Sequence, residues 1–186
     1  MNKRSNLKKL SFEELRKELN KGQQYPFYLL YGEEEYEREL TAEWLIDKLR
    51  PEAADFNVDI FRGDELITED FVRIYQSYPM MATWRLAIIK ACEKLPQGTV
   101  KDLAEIIEKP VETTKLIAIG DKLDMRRGFY QILSRQGRAV EFRVPYDNQM
   151  PQWTNNCAKR LGLLVDPDAI DLLNRYIGNN LREIAG

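Results

Sequence analysis

Phe27-Tyr28-Leu29-Leu30-Tyr31-Gly32-Glu33-Glu34-Glu35-Tyr36-Glu37-Arg38-Glu39 is the run whose reading decides the fold. Its first five residues are apolar without a break, the length and character of a strand covered on both faces. Pro26 precedes the run and Gly32 closes the strand. The spacing then changes. Tyr36, Leu40 and Trp44 recur every four residues, with Leu45 and Leu49 beside them, and predict a helix that ends ahead of Pro51. Strand, glycine turn and helix in that order form the first unit of a parallel α/β sheet.

Upstream, Ser11 with Glu14 three residues on is a capping-box pattern. It predicts a short amphipathic helix through Phe12, Leu15 and Leu19, ending near Gly22. Downstream, Phe56-Asn57-Val58-Asp59-Ile60-Phe61 alternates apolar and polar residues, a half-exposed second strand. Thr68 is placed to cap a helix whose apolar face is Phe71, Ile74, Tyr75 and Tyr78. Leu86-Ala87-Ile88-Ile89 is a third strand, fully apolar. Val100, Leu103 and Ile107 mark a helix that stops before Pro110. Leu116-Ile117-Ala118-Ile119 is a fourth strand, again fully apolar, closed by Gly120. Asp124 is placed to cap a helix with Met125, Phe129, Ile132 and Leu133 inward, closed by Gly137. Val140, Phe142 and Val144 alternate with Glu141 and Arg143, a half-exposed fifth strand. The alternation predicts a five-stranded parallel sheet with helices on both faces, strands two and five at its edges.

After Pro145 no strand follows. Residues 147–161 predict a helix with Trp153, Cys157 and Leu161 in line and Pro151 in its first turn. Asp166-Pro167 opens another through Ile170, Leu173 and Ile177. Gly178-Asn179-Asn180 ends that helix, and Leu181-Arg182-Glu183-Ile184 begins a third. The expected division is an α/β domain over 1–145 and the beginning of an all-helical one over 146–186. Three helical starts in so few residues are too little to close a core.

Between the second helical pattern of the sheet and the third strand lies Gln76-Ser77-Tyr78-Pro79-Met80-Met81-Ala82-Thr83-Trp84-Arg85. Pro79 stops the helix, since it lacks an N–H and restricts the residue before it. A connection ordinarily runs over the surface and reads as polar. This one carries two adjacent methionines and a tryptophan. Methionine is flexible and polarizable and suits surfaces that dock into partner grooves. The two readings are an apolar plug offered to another protein, or Met80 and Met81 folded back as a cap on the core.

The chain has 186 residues, a 44% hydrophobic fraction, a formal net charge of −2 and no histidine. Every histidine-dependent triad, general base or metal site is excluded. The slight acidity argues against a domain devoted to gripping phosphate backbone. Lys8, Lys9, Lys48, Arg50, Arg126 and Arg127 could touch nucleic acid, and read more simply as scattered surface charge. Cys92 and Cys157 have no metal-ligand spacing and read as packing residues in a reducing cytoplasm. The N-terminus is basic at Lys3 and Arg4 but is followed by no apolar signal core, and no run is long enough to span a membrane.

Ligands of such a sheet sit beyond the strand C-termini, at the first strand-to-helix turn. A phosphate loop there would read Gly-x-x-x-x-Gly-Lys-Ser/Thr. In that register Gly32 stands alone: Glu37 replaces the second glycine, Arg38 the lysine and Glu39 the hydroxyl residue. Glu33, Glu34 and Glu35 crowd the turn with charge that repels a triphosphate and suits the positive end of a helix. The cluster is read as a solvated helix cap rather than a metal site. Strand three ends Ile89-Lys90-Ala91-Cys92, without the acidic pair that would hold magnesium. No catalytic residue, cofactor or metal is expected. A divergent P-loop NTPase and a nucleic-acid-binding module stand as the alternatives.

Tyr28-Leu29-Leu30-Tyr31-Gly32-Glu33-Glu34, the 76–85 loop with the strand after it, the passage from Phe142 to Trp153 and Gly178-Asn179-Asn180-Leu181-Arg182 together resemble the delta subunit family of bacterial DNA polymerase III clamp loaders. The resemblance implies an AAA+-like, P-loop NTPase fold with sheet order 5-1-4-3-2, followed by part of a helical lid. It implies binding to the ring-shaped beta sliding clamp and help in opening it for loading onto primed DNA. The companions would be gamma/tau and delta-prime, joined through a C-terminal collar domain that this chain does not carry. DNA would be an indirect or weak partner. No active site of its own is implied, only membership of a DNA-directed DNA polymerase holoenzyme. In the family a bulky apolar pair enters a clamp pocket, with a glutamine upstream. Here that assigns Gln76, Pro79, Met80, Met81 and Trp84 to clamp contact, with methionines where Leu or Phe is more usual. Arg182 resembles the phosphate-sensing lid arginine of active relatives and is expected in structural ion pairs.

Overall fold

The computed structural model describes residues 10–160, 162–178 and 180–185. Lys3, Arg4, Lys8, Lys9, Leu161 and Asn179, which entered the reading above, lie outside the described residues. The chain divides into two compact units, Met1–Phe142 and Arg143–Gly186.

The first unit is built on five parallel strands: β1 (Phe27–Tyr31), β2 (Val58–Arg62), β3 (Arg85–Lys90), β4 (Thr114–Gly120) and β5 (Arg138–Glu141). Their order is β2-β3-β4-β1-β5, which from the other edge reads 5-1-4-3-2, as the resemblance implies. The strands expected inside are inside, and the two alternating ones are the edges. The reason is visible in the side chains. Phe27 and Leu29 of β1, Ala87 and Ile89 of β3 and Leu116 and Ala118 of β4 point to one face. Tyr28 and Leu30, Leu86 and Ile88, and Ile117 point to the other. A strand with period 2 that buries both faces can contain no polar residue in its middle.

Helices cover each face. On the first lie α4 (Thr68–Tyr75), α5 (Gln97–Ile107) and α6 (Gly128–Gln136), through Phe71, Tyr75, Val100, Leu103, Ile107, Phe129 and Leu133. On the second lie α1 (Phe12–Asn20) and α2 (Glu35–Lys48), through Leu15, Leu19, Ala42 and Leu45, with Leu49 just past the end of α2. The α1 capping box forms as the pattern predicts, Ser11 and Glu14 exchanging hydrogen bonds.

Several local expectations are corrected. The buried stripe of α2 is Thr41, Ala42 and Leu45, and Leu40 is exposed. A line of i+4 residues overshoots a full helical turn by about 40° at each step, so the Tyr36–Leu40–Trp44 line does not follow the buried stripe, and only Trp44 at its end packs against the second-face core. Thr68 is the first helical residue and Ile67 occupies the cap position, without a side-chain bond. Asp124 caps a local turn by accepting from the Arg126 N–H, and α6 begins only after Arg127. Strand β5 stops at Glu141 and Val144 is exposed. Tyr78 lies beyond the end of α4 and is 86% exposed. Residues 56 and 57 belong to α3 (Ala54–Asn57), a single helical turn, so β2 starts later than the alternation suggests.

The second unit holds α7 (Met150–Arg160), α8 (Pro167–Ile177) and α9 (Leu181–Ala185). Asp166 caps α8 with proline in the first turn, its carboxylate accepting from the Asp168 N–H at 2.9 Å. Among the described residues no helix is long and apolar enough to cross a membrane.

Candidate functional site

The connection from α4 to β3 follows from what binds its two ends. Gln76 closes α4 and is exposed. The Ser77 hydroxyl donates to the Ile74 carbonyl at 2.8 Å and accepts from Arg85. Arg85 itself is buried and reaches Asp59 Oδ2 at 2.8 Å, tying the start of β3 to β2. At the far end Trp84 is half-buried. Its Nε1 donates to the Leu49 carbonyl at 3.0 Å, and Lys115 Nζ lies 4.3 Å from the ring centroid. Burial beside that ring lowers the Lys115 pKa from its ordinary value.

Met80 and Met81 stand out of the loop between these anchors, 54% and 87% exposed. The core-cap reading of the pair is therefore wrong. Pro79 is half-buried behind them. Met81 holds a left-handed backbone, φ 52°, which a side chain larger than glycine adopts at a cost of order 1–3 kcal/mol unless its surroundings fix it. Those surroundings include a residue the sequence reading assigned to a strand. Asn57, fully buried, accepts from the Met80 N–H at 2.7 Å and donates to the Met80 carbonyl at 2.8 Å.

The first strand-to-helix turn is short. Only Gly32, Glu33 and Glu34 separate β1 from α2, so Glu37, Arg38 and Glu39, which the phosphate-loop register aligned with the second half of the motif, are already helical. Glu34 is the N-cap. Its carboxylate accepts from the Tyr36 N–H at 3.0 Å and the Glu37 N–H at 2.7 Å, the amides a phosphate would need. Burial raises the Glu34 pKa, and those two amides partly offset the rise. Arg38 turns back onto the Gly32 carbonyl and lies 3.8 Å from Asp121. Gly32, at φ 129°, is glycine for packing reasons: a Cβ there would come 1.9 Å from the Phe142 carbonyl oxygen. Glu33 pairs with Lys122 at 3.0 Å. A cleft of ≈ 470 Å³ opens at the strand ends, where Glu35, Glu39, Glu43, Glu93 and Asp121 outnumber Arg38, Arg62 and Lys90. Such a lining disfavours a polyphosphate.

The other candidates resolve simply. Cys92 is fully buried, its thiol pushed above the ordinary range by that burial, and Cys157 is buried in the second unit. Arg126 and Arg127 both pair with Asp124, while Lys48 and Arg50 are exposed. Arg182 lies on α9.

The model of the family described as "DNA polymerase III, delta subunit" matches residues 28–143, more than half of the chain. The chain belongs to the DNA polymerase III delta subunit family. The matched span of the delta family runs from β1 through β5, and so takes in both the short turn and the methionine loop. The DNA polymerase III subunit delta of Bacillus subtilis is 25% identical over 183 residues, covering 90% of this chain and 52% of the relative. The chain thus spans about half the length of that curated relative. The solved Bacillus subtilis DNA clamp loader delta protein superposes with TM-score 0.75 at 23% identity, over 94% of this chain and 55% of the other. A RuvB point mutant from Thermotoga maritima superposes with TM-score 0.51 at 14% identity, over 86% of this chain and 52% of that one. The fold is AAA+-like.

Sequence reasoning missed the ties that shape the loop. Asn57 and Met80 are 23 residues apart, and Asp59 and Arg85 26. Both acidic or amide residues occupied the polar positions of an alternating strand, where exposure is the ordinary expectation. No local pattern reports such a pairing.

Proposed function

We propose that this chain carries the clamp-contacting half of a clamp-loader delta subunit. Met80 and Met81 enter a hydrophobic pocket on the beta sliding clamp, and Gln76, Pro79 and Trp84 shape or border that contact. Engagement of the ring helps to open it for loading onto primed DNA. Companion subunits hydrolyse ATP, and subunits of the gamma/tau and delta-prime kind assemble with the delta subunit through its further domain, in the cytoplasm. The observation that carries this reading is the pair of adjacent apolar side chains held out in water on an anchored loop. Exposed apolar surface of that kind ordinarily marks a binding site.

Glu34, bonded to the helix amides, supports a partner role over nucleotide chemistry for this chain. A pull-down with the beta clamp tests the assignment. Replacing Met80→Ala together with Met81→Ala is expected to cost about 2–3 kcal/mol per side chain in clamp affinity. Binding by the double variant equal to that of the parent would remove the plug from the mechanism.

A further inference from the structure

We propose that Asn57 is the positioning residue of the docking loop: its buried amide fixes the backbone of Met80, so that the partner meets a plug already in its protruding shape. This deepens, and rests on, the reading of Met80 and Met81 as the plug.

The geometry is that of a side chain standing in for a neighbouring strand. A single amide group takes both main-chain groups of Met80, the N–H at 2.7 Å and the carbonyl at 2.8 Å. The same Nδ2 also approaches the carbonyls of Glu52 at 3.0 Å and Ala53 at 3.1 Å. An amide nitrogen has two hydrogens, so three acceptors share them and the group has no capacity left to rotate away. Asn57 has no exposed surface, and water cannot readily replace these bonds. Seen from the loop, Ser77 and Trp84 hold the ends, and Asn57 grips the centre one residue before the left-handed Met81. An exposed apolar pair on a slack loop would fold down onto apolar surface nearby. Fixing Met80 prevents this, and a strained conformation persists only where its surroundings over-determine it.

Loss of the bridge leaves the binding contacts intact and reduces the fraction of molecules that present them, and apparent affinity falls by that fraction. The test is a kinetic titration of the whole chain against the beta sliding clamp. Asn57→Ala is expected to weaken binding roughly tenfold, mainly through slower association. Leu103→Ala, a buried change under α5 on the sheet, serves as a destabilised control and is expected to bind as the parent does. Adding Asn57→Ala to the Met80→Ala, Met81→Ala variant is expected to change nothing further. The inference is overturned if Asn57→Ala binds as the parent does while the methionine variant is weakened. It is also overturned if Leu103→Ala loses as much, or if the Asn57 effect persists without the plug. A methionine variant that binds as the parent does overturns this inference and the plug reading together. Should Asn57→Ala fail to fold, amide exchange on the parent decides: a Met80 N–H protected like those of β3 supports the bridge, and one that exchanges freely refutes it.

Discussion

Gly32 is the residue whose meaning changed most between sequence and structure. In the sequence it is the first letter of a phosphate loop with the rest lost. In the fold it is the point where the backbone of Phe142 passes over the turn, Glu34 N–H donating to the Phe142 carbonyl at 3.2 Å. Gly32→Ala therefore combines an unfavourable positive φ with a main-chain collision that no rotamer relieves. It is expected to cost about 2–3 kcal/mol in a denaturant melt. An unchanged midpoint would show that the turn has room for a Cβ and that the Phe142 backbone does not close over it. The helix cap in the Glu33–Glu35 run was legible at this scale, because the attraction of carboxylates to a helix N-terminus is local physics, but its solvation was not: the capping Glu34 is buried. Asn57 was not: its value lies in a bond to a residue far along the chain.

At the scale of the element, strands β1, β3 and β4 could be read without error of type because burial on both faces leaves an unbroken apolar run. The edges were read correctly for the same reason inverted. Boundaries were less legible, and α3 shows why. A single helical turn has no period to detect, and its Asn57 and Phe56 mimic the alternation of the strand that follows. The 76–84 connection is likewise an element in its own right, since its shape is set by side chains from β2, β3 and α3. Arg85 is its outer fastening, with Asp59, Ser77 and the Phe56 carbonyl at 3.4 Å as acceptors. Arg85→Ala strands those groups at a partly buried site and is expected to lower stability by about 2–3 kcal/mol, measured by chemical unfolding. A loss under half of that would mean the network is loosely held in solution.

For the whole molecule, the alternation of strands and helices implies a parallel α/β sheet and its two edges, while the AAA+-like fold, the sheet order and the partners came from resemblance. One further consequence concerns the core of the first unit. Tyr28, Tyr75 and Tyr130 are buried, and burial raises each phenol, that of Tyr28 from 10.0 to about 12. A folded pKa above the unfolded one contributes stability that is complete below pH 10 and is lost as pH climbs toward 12. Alkaline titration followed by tyrosinate absorbance and circular dichroism together tests this. The buried three should ionise only with unfolding. Ionisation of Tyr28, Tyr75 and Tyr130 with structure retained would contradict the packing.

The claim on which the account turns is that two methionines project from an anchored loop to meet a ring-shaped partner. Methyl NMR of the methionine-labelled chain with added beta clamp addresses it directly. The Met80 and Met81 methyl resonances are expected to shift and broaden while those of Met125 and of Met150, which is 1% exposed, stay in place. Clamp binding that leaves the Met80 and Met81 signals unmoved would contradict the account.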